Sequence, residues 1–112
     1  MSFDYKFETG NDEVYMAYTV PYSYTQMMSH IKQLKDVAEN SPQGKKIVNF
    51  SLLGKSIGGL DMPLIKITNR NSEGQIEISK PTVLIIGRQH SGETHSSFII
   101  HGLINFLLSR DP

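Results

Sequence analysis

The apolar and polar positions of this chain change period several times, and each change marks an element. Over residues 13–20, Val14, Met16 and Tyr18 alternate with Tyr15 and Thr19, the period-two pattern of a strand that Pro21 ends. From Thr25 to about Glu39 the period becomes helical, with Met27, Met28, Ile31, Leu34 and Ala38 on one stripe and Thr25 as the candidate N-cap. Asn40-Ser-Pro-Gln-Gly44 breaks that helix. Residues 46–53 and 62–68 read as strands, joined by the glycine-bearing loop 54–61 into a hairpin. Residues 69–80 are polar and glycine-containing, an exposed loop. Residues 82–87 form an apolar, β-branched run opened by Pro81, the pattern of a strand buried on both faces. A loop at 88–93 then leads into a helix over about 95–109.

That last helix changes the picture. Phe98, Ile99, Ile100, Leu103, Ile104, Phe106, Leu107 and Leu108 surround it almost completely, and such a helix expects neighbours on several sides. The chain holds too little protein to supply them, so we expect the sequence to be the front part of a larger domain. The fold class expected is α/β with a mixed sheet. Strands 46–53 and 62–68 run antiparallel, 82–87 lies centrally, and helices cover the faces.

Composition narrows the chemistry. Within 112 residues, 11 basic and 11 acidic side chains give zero formal net charge, which leaves no basic footprint for nucleic acid. Cysteine is absent, so disulfides and thiolate metal sites are excluded, and any metal must be held by His and carboxylates. The opening residues lack the apolar core of a signal peptide, and the apolar run 98–108 is too short and interrupted to span a bilayer. A soluble intracellular protein is the default expectation.

Candidate chemistry sits in Gly87-Arg-Gln-His-Ser-Gly-Glu-Thr94. His90 stands at the carboxyl end of the expected buried strand, and Glu93 at the start of the next helix. Both can converge above the sheet edge, where open α/β folds keep their ligands. Gly87 and Gly92 bracket the loop, Thr94 or Ser96 can cap the helix, and Glu93 suits its positive end. A neutral imidazole with a carboxylate suits a divalent metal, zinc foremost. The alternative is that both are solvated loop residues, the usual state of polar side chains between elements. Arg88 either faces the cleft and assists an acidic substrate or is a satisfied structural arginine. His95 and His101, on the following helix, are expected to point away from the site, and His30 is read as a helix residue without a role.

Four separated blocks together resemble the zinc metallocarboxypeptidases, and within them the cytosolic carboxypeptidases of the tubulin-deglutamylase type. Residues 14–25 resemble the end of that group's accessory β-domain and the passage into its catalytic domain. Leu53-Gly-Lys-Ser-Ile-Gly-Gly-Leu60 with Pro63-Leu-Ile-Lys-Ile-Thr68 resembles the hairpin that opens the catalytic domain, residues 87–94 the first metal-ligand motif, and 96–112 the helix after it. Ser91 stands where the cytosolic group usually has proline, and Leu60 where a basic residue often follows the hairpin glycine.

The resemblance implies an incomplete mixed-sheet α/β/α zinc carboxypeptidase fold. Residues 1–20 would end an accessory β-region, and 21–112 would form the N-terminal part of the catalytic domain. It implies Zn2+ as cofactor, with His90 and Glu93 as metal ligands. A third ligand, a general-base Glu and the basic residues that hold a substrate carboxylate have no counterpart here, so no catalytic residue is expected within the chain and these groups are expected beyond Pro112. The implied activity is removal of C-terminal, acidic residues such as polyglutamate on tubulin. Partners would then be peptide or protein C-terminal tails, tubulin among them, and neither nucleic acid nor membrane. The implied location is cytoplasmic, with association to microtubules or cilia, and the chain alone is expected to be inactive. Two other readings stand beside it: an inactive fragment or pseudo-enzyme that binds peptide or tubulin tails, and a His-x-x-Glu zinc amidohydrolase of the aspartoacylase type.

Overall fold

The computed structural model describes residues 2–41, 47–68 and 80–109. Its elements, in chain order, are helix α1 (Tyr24–Asn40), strands β1 (Val48–Lys55) and β2 (Asp61–Ile67), and helix α2 (Thr94–Leu108). The expected hairpin residue Lys46, the helix break at 42–44 and the loop 69–79 lie outside the described residues.

Helix α1 starts one residue ahead of the expected cap. Ser23, not Thr25, is the N-cap: its hydroxyl accepts the Gln26 N–H at 3.1 Å while the Gln26 side chain accepts the Ser23 N–H at 2.7 Å. This reciprocal box satisfies two backbone donors at the helix start. His30, Ile31, Leu34 and Ala38 form the buried stripe.

Strands β1 and β2 pair antiparallel, with Val48 opposite Ile67 and Phe50 opposite Ile65, as the two apolar runs around the glycine loop predict. The register slips between Leu52 and Gly54, leaving Leu53 as the extra residue of a bulge. Ser56 closes the turn, its N–H donating to Leu60 O at 2.8 Å and its carbonyl accepting from Gly59 N. Gly59 sits at φ 80°, a conformation that glycine adopts without steric penalty. Lys55 and Asp61 pair at 2.5 Å across the strand ends. The hairpin meets α1 through Lys35, whose ammonium lies 5.6 Å from the centre of the Phe50 ring.

Two expected strands are absent among the described residues. Among the described residues the sheet consists of β1 and β2, so the central strand expected at 82–87 is corrected to a segment that joins no described strand. Val83 is 81% exposed and Leu84 74%, although both are typical strand residues. Side-chain composition favours a strand, but a strand exists only where another backbone takes up its N–H and C=O groups, and β1–β2 does not reach this segment. Residues 13–20 likewise form no ladder, and Tyr15 and Tyr18 are exposed.

The apolar core is thin. Among the described residues Tyr22, Ile31, Leu34 and Ala38 are its buried members, and the radius of gyration is 18.9 Å, against the roughly 13 Å of a compact chain this long. Phe98, Ile99, Phe106 and Leu107 of α2 are exposed, although its nearly all-round apolar sequence calls for neighbours on several sides. Among the described residues no helix is long and apolar enough to cross a membrane.

Candidate metal loop

Residues 88–93 connect the extended apolar segment to α2, and the chain passes very close to that helix just beforehand. A β-carbon at Gly87 would run into the Ile100 side chain and stand 3.5 Å from Ser96 O, which is why a residue without a side chain fits there. Arg88 follows at φ 62°, in the left-handed region that non-glycine residues enter only when held there. Three hydrogen bonds hold it. The Arg88 N–H donates to Ser96 Oγ at 2.9 Å, Nε donates to Ser91 O at 2.9 Å, and Nη1 donates to Tyr22 O at 2.8 Å. Ser96 passes the tie on, its hydroxyl donating to Glu93 O at 2.7 Å.

Inside this frame His90 and Glu93 meet. The Glu93 carboxylate accepts from His90 Nδ1 at 2.6 Å and from the His90 N–H at 3.3 Å, while Glu93 N–H donates back to His90 O at 3.1 Å. Both side chains are accessible, at 74% and 40% exposure. The contact with the His90 ring, then the His90 N–H and the nearby His95, holds the Glu93 carboxyl below the usual glutamate range. Glu93 is also the N-cap of α2, yet its side chain makes no capping bond because it is turned to His90. Neither Thr94 nor Ser96 caps the helix as expected: Thr94 is its first residue, and Ser96 ties the loop.

The donor set fits zinc in kind. One imidazole nitrogen and one carboxylate oxygen already face each other, and both are reachable from solvent. Among the described residues no group of three His, Cys, Asp or Glu could hold a metal. His95 is exposed and hydrogen-bonds neither loop donor, whereas Arg88 has the structural bonds that one of its two expected readings required. Beside the loop lies an open hollow of about 260 Å³, lined by Tyr18, Pro21, Tyr22, Arg88, Gly92 and Thr94. Thr94 is buried there with its hydroxyl unpartnered among the described residues.

Sequence reading missed a polar cluster that joins the two helices. His30, expected to be featureless, is 7% exposed and donates from Nε2 to Asn105 Oδ1 at 2.9 Å. Its ring stacks on His101, with centroids 3.3 Å apart and planes 6° from parallel. His101 Nδ1 shares a hydrogen bond with the Tyr22 hydroxyl at 3.0 Å, and the Tyr22 ring packs edge-on against Phe98. Burial, then the neighbouring His30, pushes the His101 imidazole below its ordinary value, and burial pushes the Tyr22 phenol up. The one sequence signal for this cluster is the position of His30 on the apolar stripe beside Ile31 and Leu34.

A family model described as zinc carboxypeptidase matches residues 30–112. Over its whole length the chain is 33% identical to cytosolic carboxypeptidase 4 of Homo sapiens, covering 10% of that protein. It is 33% identical to cytosolic carboxypeptidase 6 of Mus musculus, covering 19% of it. Over 96% of the chain it is 29% identical to cytosolic carboxypeptidase 2 of Mus musculus, covering 12% of that protein. The chain thus spans between a tenth and a fifth of these relatives. No solved structure matches it significantly.

Proposed function

The chain belongs to the zinc carboxypeptidase family, and on that premise we propose that loop 88–93 carries the first two zinc ligands, His90 and Glu93, of a metallocarboxypeptidase. The observation that supports this most is the 2.6 Å approach of His90 Nδ1 to Glu93 Oε1 on a loop held from outside by Arg88 and Ser96. With zinc present, His90 would hold it through a ring nitrogen and Glu93 through its carboxylate. Zinc, when bound, supplies polarisation of a carbonyl and acidification of water. The protein's part is to keep the imidazole and the carboxylate oriented and open to solvent.

Catalytic zinc sites of this class have three protein ligands. With two, the chain alone holds zinc weakly and hydrolyses nothing. The third ligand, the general base and the groups that recognise a substrate's terminal carboxylate belong to parts of the protein other than the described residues. We propose that the complete protein removes C-terminal residues, acidic ones such as polyglutamate on tubulin tails, and works in the cytoplasm, at microtubules or cilia. The names of the cytosolic carboxypeptidases it is similar to support the cytosolic location. Residues 1–20 are proposed to end an accessory β-region and 21–112 to open the catalytic domain.

Calorimetric titration of the chain with zinc tests the ligand assignment. Micromolar or weaker binding that disappears in both His90→Ala and Glu93→Ala is expected. Binding that survives both substitutions would place the metal elsewhere and defeat the proposal.

A further inference from the structure

We infer that Arg88 is the positioning residue of the metal loop: it fixes the course of residues 88–93, and thereby the facing of His90 and Glu93, through main-chain contacts and not through substrate. The inference rests on the reading of His90 and Glu93 as metal donors.

The backbone shows why a brace is needed. At Gly87 the chain lies against α2, and it must turn away at once to place His90 in solvent. It does so with Arg88 at φ 62°, a conformation that an L-residue keeps only if its surroundings hold it. His90 and Glu93 cannot provide the hold, because their bonds run to one another. The external ties come from Arg88 and Ser96. The Arg88 N–H fixes the start of the loop on Ser96 Oγ, and the same hydroxyl fixes its end on Glu93 O.

The side chain adds a second pair of fixed points. Nε reaches Ser91 O, between the two candidate donors, and Nη1 reaches Tyr22 O, 66 residues away in sequence. A guanidinium can do this because its donors form a rigid planar fork; a lysine ammonium is a single point on a flexible stem. Tyr22 is a firm anchorage. Its ring is buried against Phe98 and its hydroxyl meets His101, so the loop is tied through one residue to the contact between α1 and α2. With Nε and Nη1 engaged on main-chain carbonyls, the guanidinium acts as part of the scaffold.

The test uses the 112-residue chain and its Arg88→Lys and Arg88→Gly variants. Lysine keeps the charge without the fork; glycine keeps the left-handed turn without the side chain. Backbone 15N order parameters are measured for residues 89–93 without metal, alongside zinc affinity and the visible spectrum of the Co2+-loaded protein. Both variants are expected to drop the loop from the rigid range near ~0.85 to below ~0.6 while α1 and α2 stay rigid. Zinc affinity falls roughly 10–100-fold in both, the usual effect of removing a partner that orients metal ligands, and the Co2+ bands change. Should either variant lose α1 or α2, Arg88→Gln replaces it with the same expectation. Unchanged loop order in the variants would overturn the inference, as would full zinc affinity in Arg88→Lys, which would show that charge alone is needed. If His90→Ala and Glu93→Ala leave wild-type zinc affinity intact, the donor reading fails instead, and loop order still decides the role of Arg88.

Discussion

Replacing Asn105 by Leu should destabilise the helix pair more than its exposed position suggests. Asn105 Oδ1 can only accept, so His30 Nε2 is the donor of their 2.9 Å bond. His30 is 7% exposed and stacked on His101, so water has little access to it once Asn105 is gone. Leaving a buried donor unmatched costs about 1–3 kcal/mol. His30→Leu is milder in one respect, because it removes the buried donor and leaves Asn105 free to bond water. The double variant should therefore cost clearly less than the sum of the single ones, since exchanging both partners for apolar groups of similar shape is often nearly neutral. Urea unfolding followed by circular dichroism measures all three, and a loss of 1 kcal/mol lowers the melting temperature of a unit this size by about 4–8 °C. A cost below ~0.5 kcal/mol for Asn105→Leu, or additivity within about 0.3–0.5 kcal/mol, would refute the buried-donor reasoning.

Other consequences are simpler to check. The His101 imidazole is held below its ordinary value, so the folded state prefers it neutral; the stability this gives is present above about pH 6.5 and is lost as pH falls through the lowered folded value. Urea midpoints between pH 7.5 and 5 should show that loss, and His101→Phe should reduce it; an identical slope in the variant would contradict the assignment. Glu93 is also lowered, so its contribution persists above the ordinary glutamate range and disappears at more acid pH, and Glu93→Gln should remove that acid-side component from the same titration. Ser23→Ala breaks the capping box and should cost about 0.5–2 kcal/mol, read as reduced helicity and a lower urea midpoint. Gly59→Ala forces a side chain onto φ 80° in the hairpin turn and should cost about 1–2 kcal/mol, read from the same unfolding curves.

The parts of this molecule that sequence foretold are the local ones. Helix α1 and the β1–β2 hairpin follow from patterns a few residues long, and they appear within one or two residues of where the apolar stripe and the glycine loop place them. The cap of α1 was misplaced because Ser23 and Thr25 are both competent; the spacing of Ser23 to Gln26, which allows the reciprocal bonds, distinguishes them. The segment 82–87 has strand composition but no pairing partner among the described residues, and composition carries no information about partners. His30 and His101 are far apart in sequence, so their stacking emerges only when α1 and α2 meet. His90 and Glu93 were legible because a three-residue spacing across one short loop already limits how far they can separate. The anchoring of that loop by Arg88 to Tyr22 depends on tertiary structure, and no local signal announces it.

The most direct measurement is X-ray absorption at the zinc edge of the protein loaded with less than one equivalent of metal, with His90→Ala alongside. The wild-type spectrum should contain one imidazole at about 2.0–2.1 Å and oxygen donors at about 2.0–2.2 Å, and the imidazole signal should vanish in the variant. An imidazole signal that persists in His90→Ala, or a wild-type shell of oxygen alone, would contradict the assignment of His90 and Glu93 as the metal-binding pair.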